Sequence, residues 1–333
     1  MRPTTEGSRN RTFGCMNTPP TGGAALAVKT TRLTKQFGER KALDGVDLEV
    51  PRGVAFGFLG PNGAGKTTII RLLLGLAWPT SGSMSVLGHE VPGDRGEALA
   101  RVGAIVEEPR FYPFLTGREN LEVNAAARGR AAARRISDVL ERVGLSARAD
   151  ERVSGYSLGM RQRLGIARCL LPDPDLLFLD EPMNGLDPAG MLELRGLLRE
   201  LVEEGRTVFL SSHLLDEVQR TCDFAAIVDC GTVVTQGSIG ELTAGRGKIG
   251  VGTDDPNRAA AVLAGVHGVD RAVVKDGAVE VALSPNGTSE RELVTGIVRR
   301  MLDAGLAIDR ITPLEASLEE RFLNITRRFE DER

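Results

Sequence analysis

The most constraining feature of the chain is the run GPNGAGKT at residues 60–67, which lies between a short apolar run and a helical pattern. Its spacing fits the pattern G-x-x-x-x-G-K-[ST], in which glycines let a tight turn point successive N–H groups at phosphate oxygens. The positive end of the helix that follows adds to this attraction. In a chain with 40 glycines, such a match arises by chance in about one sequence in thirty or fewer. The run therefore predicts a loop that binds nucleotide phosphates.

The individual residues of this loop have predicted contacts. Lys66 is expected to reach the β- and γ-phosphates of ATP, and the Thr67 hydroxyl is expected to ligate Mg²⁺. Residues 54–59 have the pattern of a buried strand and residues 66–76 that of a helix, which is the context that such a loop requires. The residues predicted to bind the nucleotide here are Gly60, Asn62, Gly63, Gly65, Lys66, Thr67 and Thr68.

A second apolar run, Leu176–Leu179, ends in the two carboxylates Asp180 and Glu181. Carboxylates at the end of a buried strand cost desolvation energy unless they are paired or bind a metal. A magnesium–phosphate site would supply that partner. Asp180 is therefore predicted to hold Mg²⁺, directly or through water, and Glu181 is predicted to polarise the attacking water.

Hydrophobic patterning divides the chain into an extension, an α/β core and a smaller module. Residues 27–244 alternate strand-like and helical runs, which predicts an α/β core with parallel strands, and a helical insert over about 110–168 interrupts it. Residues 1–26 are predicted to be a disordered polar extension. After a linker-like segment at 243–248, residues 248–333 predict a small α+β accessory domain with the element order βαββαβ of ferredoxin-like folds.

Composition, charge and hydrophobic patterning argue against several classes of protein. The formal net charge of −3 and the 4% aromatic content argue against a nucleic-acid-binding surface across the chain. No stretch approaches the roughly 18 uninterrupted apolar residues of a membrane span, and no apolar core of a secretion signal follows the N-terminus. The four cysteines show no metal-ligand spacing. These features predict a cytoplasmic protein that would reach a membrane only through a partner.

Several ordered motifs of the α/β core resemble those of the ABC (ATP-binding cassette) ATPases. Residues 154–163, SGYSLGMRQR, resemble the family signature, and residues 184–188, NGLDP, resemble its D-loop, which includes Asp187. His213 follows an apolar strand-like run and is similar to the family's switch histidine. Phe37 is similar to the aromatic residue that stacks on adenine, with a core position at a strand end as the alternative.

The resemblance implies a P-loop ATPase core with a mixed sheet, and it implies a dimeric enzyme. In this family two ATPase domains meet head to tail, and each ATP lies between the phosphate-binding loop of one copy and the signature of the other. Ser157 and the Gly159 N–H would then contact a γ-phosphate across the interface, and one ATPase domain per chain implies a homodimer or a dimer with a related ATPase. Glu181, His213 and Lys66 would be catalytic, with ATP and Mg²⁺ as cofactors.

Two places depart from the family's usual pattern. Glu107 stands at the Q-loop position that is usually Gln, where its carboxylate can still bind Mg²⁺ but adds negative charge near the γ-phosphate. In the signature, Leu158 and Met160 replace the more usual Gly and Gln, whereas Ser157 and Gly159 are retained. The resemblance therefore implies an active ATPase whose turnover Glu107 could slow or retune.

The finer resemblance is to the ATPases of bacitracin- and daunorubicin-type antibiotic exporters. It rests on residues 105–109, 111–113, 115–121, 156–160 and 317–323. It implies an ATP-hydrolysing subunit at the inner face of the cell membrane that drives a separate permease in antibiotic or drug efflux, with no nucleic-acid partner. The alternatives are a soluble ABC ATPase acting on the ribosome or DNA, an ATP-binding regulatory module, and an importer.

Overall fold

The computed structural model describes residues 25–243, 248–275, 277–283 and 290–314. The predicted extension over residues 1–26 falls almost wholly outside these ranges, and the segment 317–323 lies entirely outside them. Within the described ranges, no helix is both long enough and apolar enough to cross a membrane.

The elements of the larger part of the chain agree with the sequence-based pattern in kind and differ at some ends. Its strands are β1 (Leu26–Phe37), β2 (Arg40–Pro51), β3 (Ala55–Leu59), β4 (Ser81–Val86), β5 (His89–Val91), β6 (Val102–Ile105), β7 (Leu176–Asp180), β8 (Thr207–Ser212), β9 (Phe224–Asp229) and β10 (Thr232–Ser238). Its helices are α1 (Lys66–Leu73), α2 (Arg95–Leu99), α3 (Gly117–Ala126), α4 (Arg130–Arg134), α5 (Ile136–Arg142), α6 (Leu158–Leu170), α7 (Pro188–Glu203), α8 (Leu215–Thr221) and α9 (Ile239–Thr243). Helix α1 ends at Leu73 rather than at the predicted Leu76, since the chain turns at Gly75 with a φ of 61°.

A six-stranded sheet in the order β10-β9-β3-β8-β7-β6 forms the centre of this α/β core. Strand β10 runs antiparallel to β9, and the other five strands run parallel. The carboxyl ends of the parallel strands therefore meet at one edge, which is where open α/β sheets place their ligands. The loops that follow β3, β6, β7 and β8 all start from this edge.

A separate antiparallel sheet, in the order β2-β1-β4-β5, packs over one face of the core together with α1. Aromatic side chains of the central sheet fill the space between them. The ring of Phe209 lies 5.7 Å from that of Phe56 and 5.3 Å from that of Phe178, measured between centroids. All three rings are buried, so this core fixes α1 and the loop before it against the central sheet.

The helical insert supplies the other main cluster of buried residues. Helices α3, α4 and α5 lie within the predicted range of about 110–168, and α6 continues to Leu170. A capping box starts α3: the Glu119 N–H donates to the Thr116 hydroxyl, and the Thr116 N–H donates to the Glu119 carboxylate. This reciprocal pair satisfies two backbone donors that a helix start would otherwise leave unpaired.

The C-terminal module has its own hydrophobic cluster. Its elements are β11 (Lys248–Thr253), α10 (Pro256–Leu263), β12 (Val269–Lys275), β13 (Ala278–Leu283), α11 (Glu290–Asp303) and β14 (Ile308–Leu314). The four strands form an antiparallel sheet in the order β12-β13-β11-β14. This is the βαββαβ element order that the sequence predicts, and the predicted fold class of an α/β core with a small α+β module is confirmed.

Candidate functional site

The carboxyl edge of the central sheet brings three sequence-predicted segments together. The phosphate-binding loop follows β3, Asp180 ends β7, and His213 follows β8. The register aligns Leu59 with Ser212 on one side of β8 and Asp180 with Ser211 on the other. Residues far apart in the sequence therefore share one site because parallel strands end together.

Glycines shape the loop after β3. Gly65 has a φ of 104° and precedes the first residue of α1, and a Cβ added there would lie 2.5 Å from the carbonyl oxygen of Ala42. Only glycine tolerates both the conformation and the close approach. Lys66 is 6% exposed, and its ammonium group donates to the carbonyl oxygens of Gly60 at 2.7 Å and Pro61 at 3.1 Å. The loop thus curls around the Lys66 side chain.

Asp180 is a buried carboxylate with two hydroxyl donors. Asp180 is 4% exposed, and the Thr67 hydroxyl donates to one of its carboxylate oxygens at 2.8 Å. The Ser211 hydroxyl donates to the other oxygen at 2.5 Å. Both carboxylate oxygens are therefore satisfied, as burial of a charged group requires.

Glu181 links the loop to the histidine. One of its oxygens lies 3.1 Å from the Lys66 ammonium nitrogen, and the other lies 2.8 Å from Nδ1 of His213. Its N–H donates to the Ser211 hydroxyl at 3.0 Å, and its φ of 47° is in the left-handed region that side chains rarely adopt. Strained backbone of this kind is found where a side chain must point in one direction, here between a cation and an imidazole.

Lys66, Thr67 and Glu181 border an open cleft of about 430 Å³. Its lining is made by Phe37, Arg40, Ala42, Asn62, Gly63, Gly65, Lys66, Thr67, Thr68 and Glu181. Phe37 is 55% exposed, with the Lys35 ammonium nitrogen 4.7 Å from its ring centroid. A core position for Phe37 is therefore wrong, and its ring is available to stack on a planar group.

The signature and D-loop residues occupy helix starts instead. The Ser157 hydroxyl caps α6 and accepts from the Met160 N–H at 3.2 Å, and Gly159 is in the first turn of that helix. Asp187 caps α7 and accepts from the Gly190 N–H at 3.0 Å. The described residues that line the cleft include none of these three, so the chain does not bring its own signature onto its own phosphate-binding loop.

Tyr156 holds the signature segment in place through a buried hydrogen bond. Its buried hydroxyl donates to the carbonyl oxygen of Arg148 at 2.6 Å. Burial, together with the negative charge of Glu151, raises the pKa of Tyr156 above its usual value, which keeps the hydroxyl protonated as a donor. Tyr156 directly precedes Ser157, so this buried contact fixes the position of the residue that caps α6.

Glu107 lies two residues beyond the end of β6, on the same edge of the sheet. Its carboxylate accepts from the Arg71 guanidinium of α1 at 2.5 Å, and its φ is 63°. Glu107 is not among the residues that line the cleft. Its predicted role as an Mg²⁺ ligand thus competes with an ion pair that the sequence did not reveal.

Sequence reasoning also missed Ser211 and Arg40. Ser211 forms hydrogen bonds with both Asp180 and Glu181. The signal in the sequence is a hydroxyl side chain at the end of an apolar strand, close to the histidine. Its role becomes clear only from the pairing of β7 with β8. Arg40 lines the cleft and donates to the carbonyl oxygen of Gly63 at 3.3 Å. Its position depends on the turn between β1 and β2.

Comparisons with known proteins show the family to which the chain is similar. Residues 43–184 match the family model described as ABC transporter. The bacitracin transport ATP-binding protein of Bacillus licheniformis is 40% identical over 305 residues, which is 90% of this chain and 96% of that protein. A daunorubicin resistance ATP-binding protein of Streptomyces coeruleorubidus is 36% identical, over 91% of this chain and 96% of that protein.

Solved structures show the same fold. A dimeric ATP-binding cassette in a post-hydrolysis state, bound to ADP and Pi, is 26% identical and has a TM-score of 0.57, covering 64% of this chain and 98% of that one. An ABC transporter component from Clostridium perfringens is 27% identical with a TM-score of 0.61, covering 66% and 91%. The chain belongs to the ABC transporter ATP-binding proteins and is an ATPase of that family.

Proposed function

We propose that this chain is the ATP-hydrolysing subunit of an ABC exporter. It closes with a second copy, or with a related ATPase, around two ATP and drives a separate membrane permease. The observation that carries the proposal is the Glu181 carboxylate held between Lys66 and His213 beside the phosphate-binding loop. A candidate base in contact with both an orienting group and a phosphate-binding cation is the arrangement that ATP hydrolysis requires, which supports the proposal.

The cleft fits a nucleotide with its phosphates at the start of α1. The backbone N–H groups of the loop and the positive helix end attract the phosphates, and Phe37 offers a ring to the adenine. The lining residues with predicted nucleotide contacts are Phe37, Asn62, Gly63, Gly65, Lys66, Thr67 and Thr68. Gly60 contributes by letting the chain leave β3 next to Val228, where an added Cβ would meet a carbonyl oxygen.

Thr67 and Asp180 fit the Mg²⁺ that accompanies ATP. Their oxygens lie 2.8 Å apart, and Ser211 orients the carboxylate from the other side. Mg²⁺ bound with a nucleotide takes one or two protein oxygens and fills its other positions with phosphates and water, so no larger acidic cluster is needed. Bound there, Mg²⁺ would neutralise negative charge on the β- and γ-phosphates.

Lys66 exchanges partners when ATP binds. The γ-phosphate and Glu181 compete for the same ammonium group, which now lies 3.1 Å from the Glu181 oxygen. Once Lys66 turns to the phosphates, that oxygen is free to accept a proton from the attacking water. His213 keeps the other oxygen in place, so positioning and electrostatics supply most of the acceleration of in-line attack.

Dimerisation completes the site. Ser157 and Gly159 begin the 13-residue helix α6, whose N-terminal N–H groups favour an anion. Since they lie outside the cleft of their own chain, the γ-phosphate that they contact is one bound by a partner copy, with Asp187 of the D-loop at the same interface. Hydrolysis removes that anion and loosens the dimer.

Export through a permease is supported by the relatives and by one surface. The relatives are named for bacitracin transport and daunorubicin resistance, and neither name favours the ribosome or DNA alternative. Tyr112 and Phe114, in the predicted range of the helical insert, are 52% and 65% exposed, and their ring centroids lie 5.9 Å apart. Adjacent exposed apolar side chains mark an interaction site, which here would seat a cytoplasmic helix of the permease and hold the chain at the inner face of the membrane.

The test is nucleotide-dependent dimerisation. Glu181→Gln, which binds ATP but turns over slowly, is examined by light scattering with Mg²⁺ and either ATP or ADP. We expect a dimer with ATP and a monomer with ADP. Adding Ser157→Arg should abolish the dimer while the monomer still binds ATP. A monomer with ATP, or loss of ATP binding by the monomeric Ser157→Arg variant, would contradict the shared site.

A further inference from the structure

The ion pair between Arg71 and Glu107 lies beside the proposed ATP site. Arg71 follows Thr67 by four residues on α1, so the two side chains lie on one helix face about 6 Å apart. Glu107 comes from the loop after β6, and β6 pairs with β7, which ends in Asp180. Neighbouring strands are about 4.8 Å apart. The pair therefore adjoins the Thr67–Asp180 oxygens without lining the cleft.

The charge of Glu107 matters at this place. Asp180 and Glu181 already put two carboxylates next to the phosphates, and Glu107 adds a third where the family usually has an uncharged Gln. An unpaired carboxylate there repels the γ-phosphate. The Arg71 guanidinium, 2.5 Å from Glu107, offsets that charge and fixes where the carboxylate points.

We propose that Arg71 is a positioning residue that holds and neutralises Glu107, so that the chain binds ATP with a carboxylate at the Q-loop position. The inference rests on the proposed ATP site and concerns discrimination between ATP and ADP. The γ-phosphate is the group of the nucleotide that an unpaired Glu107 repels. Loss of Arg71 therefore weakens ATP binding more than ADP binding, and removal of the Glu107 charge cancels the loss.

The experiment measures binding of a non-hydrolysable ATP analogue and of ADP, each with Mg²⁺, by calorimetry. Arg71→Met should weaken the analogue about three- to tenfold, from the Coulomb repulsion of one partly screened charge, and leave ADP nearly unchanged. Arg71→Lys should bind as the wild type does. The double variant Arg71→Met/Glu107→Gln should recover the analogue affinity, and high salt should shrink the effect.

Arg101→Met is the matched control. Arg101 pairs with Asp175 at 2.6 Å in another exposed ion pair, at the opposite edge of the same sheet, and its loss should change neither affinity. Equal weakening of analogue and ADP by Arg71→Met, no weakening, or no recovery in the double variant would overturn the inference. If the wild type binds neither nucleotide, the proposed function itself fails, which is a separate result.

Discussion

Replacing Glu181 by Gln separates ATP binding from ATP hydrolysis. The substitution keeps the shape of the side chain and removes the carboxylate that is predicted to accept a proton from the attacking water. Loss of a general base lowers turnover by about 10²- to 10⁴-fold. The Lys66 ammonium keeps its bonds to the carbonyl oxygens of Gly60 and Pro61, so the loop should retain its shape.

The same change should strengthen ATP binding. Lys66 no longer has to leave a carboxylate 3.1 Å away when it turns to the phosphates. A partly exposed ion pair of this kind contributes about 1 kcal/mol net, which corresponds to an increase in ATP affinity of about fivefold. The expected signature is therefore slower turnover together with equal or tighter binding.

Phosphate release and equilibrium nucleotide binding measure the two quantities on one preparation. Glu49→Gln serves as control, because Glu49 pairs with Lys29 at 2.9 Å in an exposed ion pair of the antiparallel sheet. This control should leave both quantities at the wild-type level. Turnover of Glu181→Gln within about threefold of wild type would remove Glu181 from the role of base, and a large loss of ATP affinity would refute the exchange of Lys66 between partners.

Three further changes have defined outcomes. Ser211→Ala removes a hydrogen bond to each carboxylate residue of the site and should lower kcat about tenfold while raising the Mg²⁺ concentration needed for half activity, measured by Mg²⁺ titration. Gly65→Ala should abolish ATP binding while Gly196→Ala, in open space, should not, measured by calorimetry. Hydrogen bonds from Arg135 and Arg206 lower the pKa of Asp173 to about 2, so its stabilisation is present above the usual 3.8 and is lost as the pH falls towards 2. Because this carboxylate is half exposed, Asp173→Asn should cost less than about 1 kcal/mol at pH 7, and the difference in melting temperature from wild type should shrink below pH 3.8 and vanish only below about pH 2.

Local sequence patterns were sufficient to predict much of the fold and of the candidate site. The phosphate-binding loop and the Asp180–Glu181 pair are short runs whose function depends on neighbouring residues, so spacing alone predicts them. Their meeting at one sheet edge follows from the parallel strands that the α/β alternation indicates. The βαββαβ order of the C-terminal module was likewise visible as alternating strand and helix patterns.

Other features depend on strand order and packing, which no local pattern contains. Ser211 contacts the Asp180 carboxylate and the Glu181 N–H because β8 lies next to β7 in the sheet. Arg71 reaches Glu107 because α1 packs near the end of β6. Phe37 is exposed because it ends β1 at a turn. The sequence around a single aromatic residue does not indicate whether its ring faces the core or the solvent. These are long-range contacts, and the sequence gives the residues that form them but not which residues meet.

The most direct test of the exporter assignment is purification of the tagged chain from its native membranes in mild detergent, followed by identification of the proteins that accompany it. We expect a multi-span permease in near-equal amount, with ATPase activity that Glu181→Gln lowers at least about 10²-fold in the same complex. Recovery of the chain with ribosomes, with DNA or with no partner would contradict the exporter and leave a soluble ABC ATPase in its place.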